Sequence, residues 1–174
     1  RGLGDVYKRQ YLSYAISIST LIVAVLGPVL GTVADGKNRK KPLFALFMMT
    51  GVIGCAALAL PKSAILFLAV FVITKVGFSG SLIFYDSMLV DVTTDERMDD
   101  VSSQGYAWGY IGSCVPFIAS LALIFGADHI GISGTAATAG AFIINALWWA
   151  VVTIPLLKNY KQNYYVKAKT CLLY

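Results

Sequence analysis

The turn Gly31-Thr32-Val33-Ala34-Asp35-Gly36-Lys37-Asn38-Arg39-Lys40-Lys41-Pro42 separates two long apolar segments. The segment from Tyr11 to Ala34 has no charged residue over 24 positions, and the segment from Leu43 to Leu60 has none over 18. A transmembrane helix needs roughly 20 apolar residues, because it rises about 1.5 Å per residue across about 30 Å of hydrocarbon. The polar, basic turn is therefore predicted to join two membrane spans.

Three further segments have the same character. Gln104–Phe125 and Ala136–Leu157 are uncharged over 22 residues each, and Ala64–Tyr85 has Lys75 as its single charge. The whole chain is 57% hydrophobic and 13% charged with a mean hydropathy of +0.71, more apolar than a soluble domain of 174 residues. Backbone polar groups in lipid must be paired internally, and the lengths and lack of alternation exclude strands. The predicted fold is all-α and polytopic, with five transmembrane helices over residues 11–165. Their predicted bounds are 11–34, 43–60, 64–89, 104–125 and 136–157.

Lysine and arginine are distributed unequally between the two sides of the predicted membrane domain. Nine of them fall in the turn, in the connection after the third span and in the tail, whereas Lys62 is alone in the two opposite short loops. The positive-inside rule then predicts that the loops 35–42 and 90–103 and the C-terminal tail are cytoplasmic. The net charge of +5 is not gathered on one soluble face, so no nucleic-acid partner is predicted.

The two ends of the chain look foreign to the membrane domain. Residues 1–10 and the last residues of the 166–174 tail resemble translated adapter sequence at the edges of metagenomic reading frames, and both are predicted to be non-native. The alternative is a native external loop and a native tail. On the first interpretation the chain is a fragment, and the missing remainder of the same protein is an expected partner.

The turn also carries a spaced motif. Gly31 and Asp35 lie four residues apart, and Arg39-Lys40 follows after four more. This pattern resembles the signature loop between the second and third helices of the major facilitator superfamily. The resemblance implies that these four residues belong to a cytoplasmic gate that latches the two halves of a transporter in one access state. An ordinary basic turn at a membrane surface would explain the basic run but not the spaced glycine and aspartate.

Two positions of the turn depart from the facilitator pattern. Gly36 stands where a basic residue is usual, and Asn38 stands where a glycine is usual. Asparagine tolerates a positive φ better than most residues, so we expect the turn to keep its shape.

A narrower resemblance covers residues 75–113. Phe84-Tyr85 is followed by a polar residue and an acidic turn, and then by Ser103-Gln104-Gly105-Tyr106-Ala107-Trp108-Gly109-Tyr110-Ile111-Gly112. This is similar to the vacuole-effluxer-like branch of the facilitators, a bacterial group related to autophagy-linked amino-acid exporters of fungal vacuoles. The resemblance spans about residues 11–165 and implies that the five spans correspond to helices two to six of twelve.

Four residues inside the spans are candidates for the substrate or coupling pathway. Lys75 lies near the centre of its span, where a charge costs roughly 2.5–3.5 kcal/mol on insertion scales, so it should face a partner or a water-filled cavity. Asp86 lies about 16 Å further along the same face, too far for a direct pair within one helix. For Lys75 the alternative is a purely structural charge. The other two candidates are Asn145 and Trp149, for which simple helix packing competes with lining a cavity.

Two further patterns have structural explanations. Gly105, Gly109 and Gly112 share one stripe of a helix and are predicted to allow close helix packing. The acidic connection could suggest a divalent-ion site, but its residues are better explained by a capping box, Thr93-x-x-Glu96, at a helix start, with added pairing to the basic turn. The acidic residues are Asp91, Asp95, Glu96, Asp99 and Asp100.

The chemistry of the sequence favours transport over catalysis. The three cysteines have no metal-ligand spacing, and no nucleophile–base pair is apparent, so neither a metal, a cofactor nor an enzyme is predicted. We interpret the chain as a secondary transporter of the major facilitator type that moves a small solute by alternating access. Amino acids are the candidate substrates through the resemblance alone, and a proton is the candidate coupling ion. The alternative is a non-transporting membrane sensor or scaffold with the same fold.

Overall fold

The structure is a computed structural model that describes residues 3–60 and 63–166, with side chains described from Gln10 onward. The described residues are helical without a strand, and five helices are long and apolar enough to cross a membrane, which confirms the predicted fold class. Residues 1–2, 61–62 and 167–174 lie outside the described part of the chain, so the predicted non-native ends are described only in part.

The helices follow one another with short connections. The five long helices are α1 (Leu3–Ala34), α2 (Lys40–Ala57), α3 (Ala64–Ser87), α5 (Met98–Phe125) and α7 (Gly134–Asn159). Two single-turn helices, α4 (Leu89–Val92) and α6 (Ala127–Ile130), and a 3₁₀ turn (Asp95–Arg97) complete the order. The first candidate span begins at Gln10 within α1. The third begins with α3 and continues through α4 to Val92.

The long helices pack in a spatial order that differs from their order in the chain. Helix α3 packs between α1 and α2, and α7 packs between α2 and α5. The spatial order is therefore α1, α3, α2, α7, α5. Helices α3 and α5 stay largely apart, so a groove opens between them over α7.

Glycines allow the close contact between α2 and α3. A Cβ atom added at Gly77 would lie 2.6 Å from the backbone nitrogen of Gly51 and 3.0 Å from the carbonyl oxygen of Phe47. Gly54 faces Thr74 in the same seam at similarly short range. Small residues thus bring the two backbones together, as is usual for helices in lipid.

The buried core lies at the end of the molecule that carries the 35–39 turn. Phe84 is fully buried there, and it packs with residues from the end of α1, the start of α2 and the segment after α7. The other buried members are Ala34, Phe44, Met48, Met88 and Tyr160. Large apolar side chains elsewhere on the helices are widely exposed, as expected for surfaces that face lipid.

Two local predictions have opposite outcomes. Asn38 adopts a φ of 58°, so it does take the left-handed conformation that a glycine would supply, as predicted. The predicted capping box, Thr93-x-x-Glu96, is wrong. Thr93 ends α4 and a 3₁₀ turn intervenes, so α5 begins only at Met98, and its N-cap, Arg97, has no side-chain cap hydrogen bond. Asp99 and Asp100 do lie in the first turn of α5, where the helix dipole favours acidic residues.

Candidate functional site

A buried ion pair joins the first residue of α2 to the end of the α3–α4 region. Lys40 Nζ lies 2.9 Å from Asp91 Oδ2, and the two side chains are 4% and 0% exposed. The same ammonium group donates a hydrogen bond of 2.9 Å to the carbonyl oxygen of Ser87. Because both charges are out of water, each depends on the other and on neighbouring dipoles for its stabilisation.

The segment after α7 completes the shell around this carboxylate. We call residues 160–166 the strap. The Tyr160 hydroxyl donates to Asp91 Oδ2 at 2.6 Å, and the backbone nitrogens of Asn163 and Tyr164 donate to Asp91 Oδ1 at 2.8 Å each. Burial, together with the hydrogen bond to the Asp91 carboxylate, raises the pKa of the Tyr160 phenol above its ordinary value. Tyr160 therefore stays a neutral donor at physiological pH.

The strap also binds the turn between α1 and α2. The Gln162 side-chain amide donates to the carbonyl oxygen of Gly36 at 3.1 Å, and the Val166 backbone nitrogen donates to the carbonyl oxygen of Asp35 at 2.9 Å. Lys37 Nζ lies 5.5 Å from the centre of the Tyr165 ring, within the range of a cation–π contact. The turn, Asp91 and the strap therefore form one connected network, which we call the Asp91 cluster.

Among the four predicted gate residues, only the Lys40 side chain enters this network. The side chains of Asp35 and Arg39 are exposed and form no hydrogen bond or ion pair within residues 3–60 and 63–166. A Cβ atom added at Gly31 would meet nothing within 4 Å. The sequence placed Asp91 among acidic residues that cap a helix start and pair with the basic turn. The ion pair with Lys40 confirms the pairing.

The three candidate residues Lys75, Trp149 and Asp86 lie along one side of α3. Lys75 is half-buried, and its Nζ lies 5.4 Å from the centre of the Phe78 ring. Phe78 in turn meets Trp149 edge to face, with ring centres 5.6 Å apart. In the described part of the chain Lys75 has no acidic partner.

Two adjoining cavities follow this side of α3. The smaller, about 350 Å³, includes Phe78 and Trp149 in its lining. The larger, about 610 Å³, lies between α3 and α5 and includes Asp86 in its lining. The two share Leu82, Tyr85 and Leu156. The two cavities therefore adjoin from Phe78 and Trp149 to Asp86, and Lys75 lines neither of them.

The fourth pathway candidate lies elsewhere. The Asn145 side-chain amide donates to the Ser120 hydroxyl at 3.0 Å and to the carbonyl oxygen of Ala141 at 2.8 Å. It therefore joins α7 to α5, and it is not among the residues that line either cavity. Ser120 was not singled out in the sequence, because a serine inside an apolar span carries no pattern of its own.

The predicted packing stripe on α5 faces open space in the described part of the chain. A Cβ atom at Gly109 or Gly112 would meet nothing within 4 Å, and one at Gly105 would meet only the Tyr85 hydroxyl, at 3.6 Å. Close packing on this stripe stays a prediction.

The described residues contain no group of three or more His, Cys, Asp or Glu side chains placed to hold a metal ion.

Comparisons with known proteins agree with the geometry. A family model described as vacuole effluxer Atg22 like matches residues 4–95 and 90–169. The chain is 45% identical over 170 residues to a Bacillus subtilis (strain 168) protein named "Uncharacterized MFS-type transporter YxiO", across 95% of this chain and 40% of that protein. The chain thus spans about two fifths of the length of this curated relative. No solved structure matches the chain. With five membrane-type helices and a match over nearly its whole length, the chain belongs to the vacuole effluxer Atg22-like family of major facilitator-type transporters.

Proposed function

We propose that this chain forms part of a secondary transporter that moves a small solute across a bacterial plasma membrane by alternating access. The family membership supports transport in general. Amino acids are the first solutes to test, because the residues 75–113 resemble a bacterial group related to amino-acid exporters of fungal vacuoles. In facilitator folds the substrate and coupling sites lie near the bilayer midplane, between helices that rock against one another.

The observation that carries the proposal is the position of Lys75. It lies at the middle of α3, half-buried, and its ammonium group lies against Phe78, which lines the smaller cavity together with Trp149. Lys75 itself is not among the residues that line either cavity. A lysine in a span is costly, so it usually faces a partner or a water-filled cavity and marks a pathway, a proton relay or a counter-ion. Its contact with a cavity-lining residue, with no acidic partner in the described residues, favours the pathway or proton-relay role.

We propose that the loops 35–42 and 90–103 lie on the cytoplasmic side. The Asp91 cluster lies at the same end of the molecule and supports a gate there. Lys40 is held inside by Asp91, whereas Asp35 and Arg39 point to solvent and are free to meet another part of the transporter. In this proposal Lys40 braces the gate internally, and the two exposed charges form and break contacts as access alternates. A facilitator can switch between its states in this way because such contacts have two discrete arrangements.

Uptake into proteoliposomes tests the proposal. The full-length transporter that contains this chain is purified, reconstituted and supplied with each of the common radiolabelled amino acids, with and without an inward proton gradient. We expect saturable uptake of at least one of them, lost in Lys75→Ala and kept in Lys158→Ala, a matched control in which an exposed lysine at the end of α7 is removed. The absence of flux for every solute, at normal expression and folding, would contradict transport and support the sensor or scaffold alternative.

A further inference from the structure

The larger cavity has an asymmetric lining. Among the described residues of the chain, Asp86 is the single charged residue in its lining, and no lysine, arginine or histidine contributes to it. Asp86 forms no hydrogen bond or ion pair within the part of the chain that the structure describes. The carboxylate is therefore available to an incoming group of opposite charge.

The rest of the lining is aromatic, aliphatic and weakly polar. Tyr85, Tyr106 and Tyr110 are 46%, 61% and 75% exposed, so their rings are open to the groove. Ser102 and Ser113 add hydroxyl groups. Tyrosine rings attract cations through their faces, and the neighbouring aliphatic side chains suit an apolar body. The volume of about 610 Å³ lies in the usual range for sites that bind small molecules.

We propose that this cavity binds an amphipathic organic cation, with its ammonium group on Asp86 and its apolar body along the tyrosines of α3 and α5. The inference rests on the proposed transport function and names its substrate class. A carboxylate on the same small molecule would find no cation among the lining residues that the structure describes, and Lys75 lies about 16 Å away along α3. A small amine is therefore preferred over an acid, and an amino acid would be held by its amino end alone.

The glycines of α5 contribute to the shape of this site. Gly105 and Gly109 line the cavity, and Gly112, one turn further along the same helix, does not. A Cβ atom at Gly109 would meet no other atom within 4 Å, and because Gly109 lines the cavity, we expect a larger side chain there to project toward the space that the ligand needs. Gly112 is equally open and serves as the matched control.

Equilibrium dialysis on the purified protein in nanodiscs tests the charge preference. The three probes share one ring and differ in charge: 2-phenylethylamine, 2-phenylethanol and phenylacetate. We expect the amine to bind at least tenfold more tightly than the other two, because a charge-assisted contact is worth about 1.4 kcal/mol or more. Asp86→Asn should remove this preference, Asp86→Glu should keep it, and Asp128→Asn in the α6 turn should leave it unchanged.

The steric test uses the glycine pair. Gly109→Leu should weaken amine binding at least tenfold, whereas Gly112→Leu should leave it within twofold. Equal binding of the amine and the acid, no binding of the amine, or equal effects of the two leucine variants would each overturn the inference. Failure of the transport proposal is distinguishable. Amine binding that depends on Asp86, without flux of any solute, keeps the site and rejects the transporter, while uptake that depends on Lys75 but not on Asp86 does the reverse.

Discussion

Helix α3 and its extension α4 carry two carboxylates, five residues apart, in opposite surroundings. Asp91 accepts hydrogen bonds from Lys40, Tyr160 and two backbone nitrogens of the strap, and its side chain is 0% exposed. Asp86 lies in an open groove and has no such partner in the described residues. One acid is fixed by the fold, and the other is left available. This is the difference expected between a structural brace and a binding group.

The glycines divide in the same way. Gly77, on the side of α3 that meets α2, has no space for a methyl group, since backbone atoms lie 2.6–3.0 Å from an added Cβ. Gly109, across the groove on α5, has nothing within 4 Å of that position. The packed side of α3 should therefore govern stability, and the open side should govern ligand handling. Each prediction below tests that division.

The largest effect is expected at Asp91. Asp91→Ala leaves the Lys40 ammonium buried without a counter-charge, and breaking one partner of a buried pair costs about 3–5 kcal/mol. We expect a much lower midpoint in thermal unfolding, followed by the fluorescence of the native tryptophans in detergent micelles.

A double variant separates the charge effect from simple loss of contact. Lys40→Met with Asp91→Leu removes both charges, and replacing a buried pair by apolar groups is often nearly neutral. We expect it to recover most of the lost stability. A double variant as unstable as Asp91→Ala would show that the loss of stability does not come from the unpaired Lys40 charge.

A smaller loss is expected at Tyr160. Tyr160→Phe removes the 2.6 Å hydrogen bond to a carboxylate, and such charge-assisted bonds contribute about 1.5–3 kcal/mol. The pH dependence gives a second signature. Because the pKa of Tyr160 is raised on folding, the unfolded chain ionises first, and stability should fall above about pH 10 by up to about 1.4 kcal/mol per pH unit. The phenylalanine variant should lack this component, and an identical alkaline slope in both proteins would contradict the assignment.

The glycine comparison gives the next prediction. Gly77→Ala must separate α2 from α3, because the clashing atoms belong to the backbones of Gly51 and Phe47, and overpacking of this kind costs about 1–3 kcal/mol. Gly109→Ala should be neutral or stabilising by up to about 1 kcal/mol, since alanine is the better helix former and the site is open. Equal destabilisation by both variants in chemical unfolding would reject the division into a packed and an open side.

Much of the fold could be predicted because lipid permits few solutions. A long uncharged segment must be a helix, so the five spans follow from composition and length. The positive φ of Asn38 in the turn could be predicted, because asparagine is one of the few residues that adopt it readily. The capping box failed because α4 and a 3₁₀ turn follow Thr93, and a four-residue pattern carries no information about where the next helix begins.

The site was less accessible to sequence reasoning. The pairing of Asp91 with the basic turn could be suggested from charge, but the choice of Lys40 over Arg39 depends on which side chain the first turn of α2 directs inward. The roles of Tyr160 and Gln162 could not be predicted, because hydrogen bonds between residues 69 and 126 positions apart leave no local pattern.

The smallest change in stability, with the clearest change in function, is expected at Asp86. Asp86→Asn keeps the shape of the side chain and breaks no hydrogen bond within the described residues, so the free energy of unfolding should stay within about 0.5 kcal/mol of the parent protein. The variant should nevertheless lose the preference for a cationic probe. Unfolding measured beside binding separates the two sides of α3, because Asp91→Ala should lower stability strongly and Asp86→Asn should not. If Asp86→Asn destabilises the protein as much as Tyr160→Phe does, the carboxylate has a structural partner, and the open side of α3 belongs to the fold as much as the packed side does.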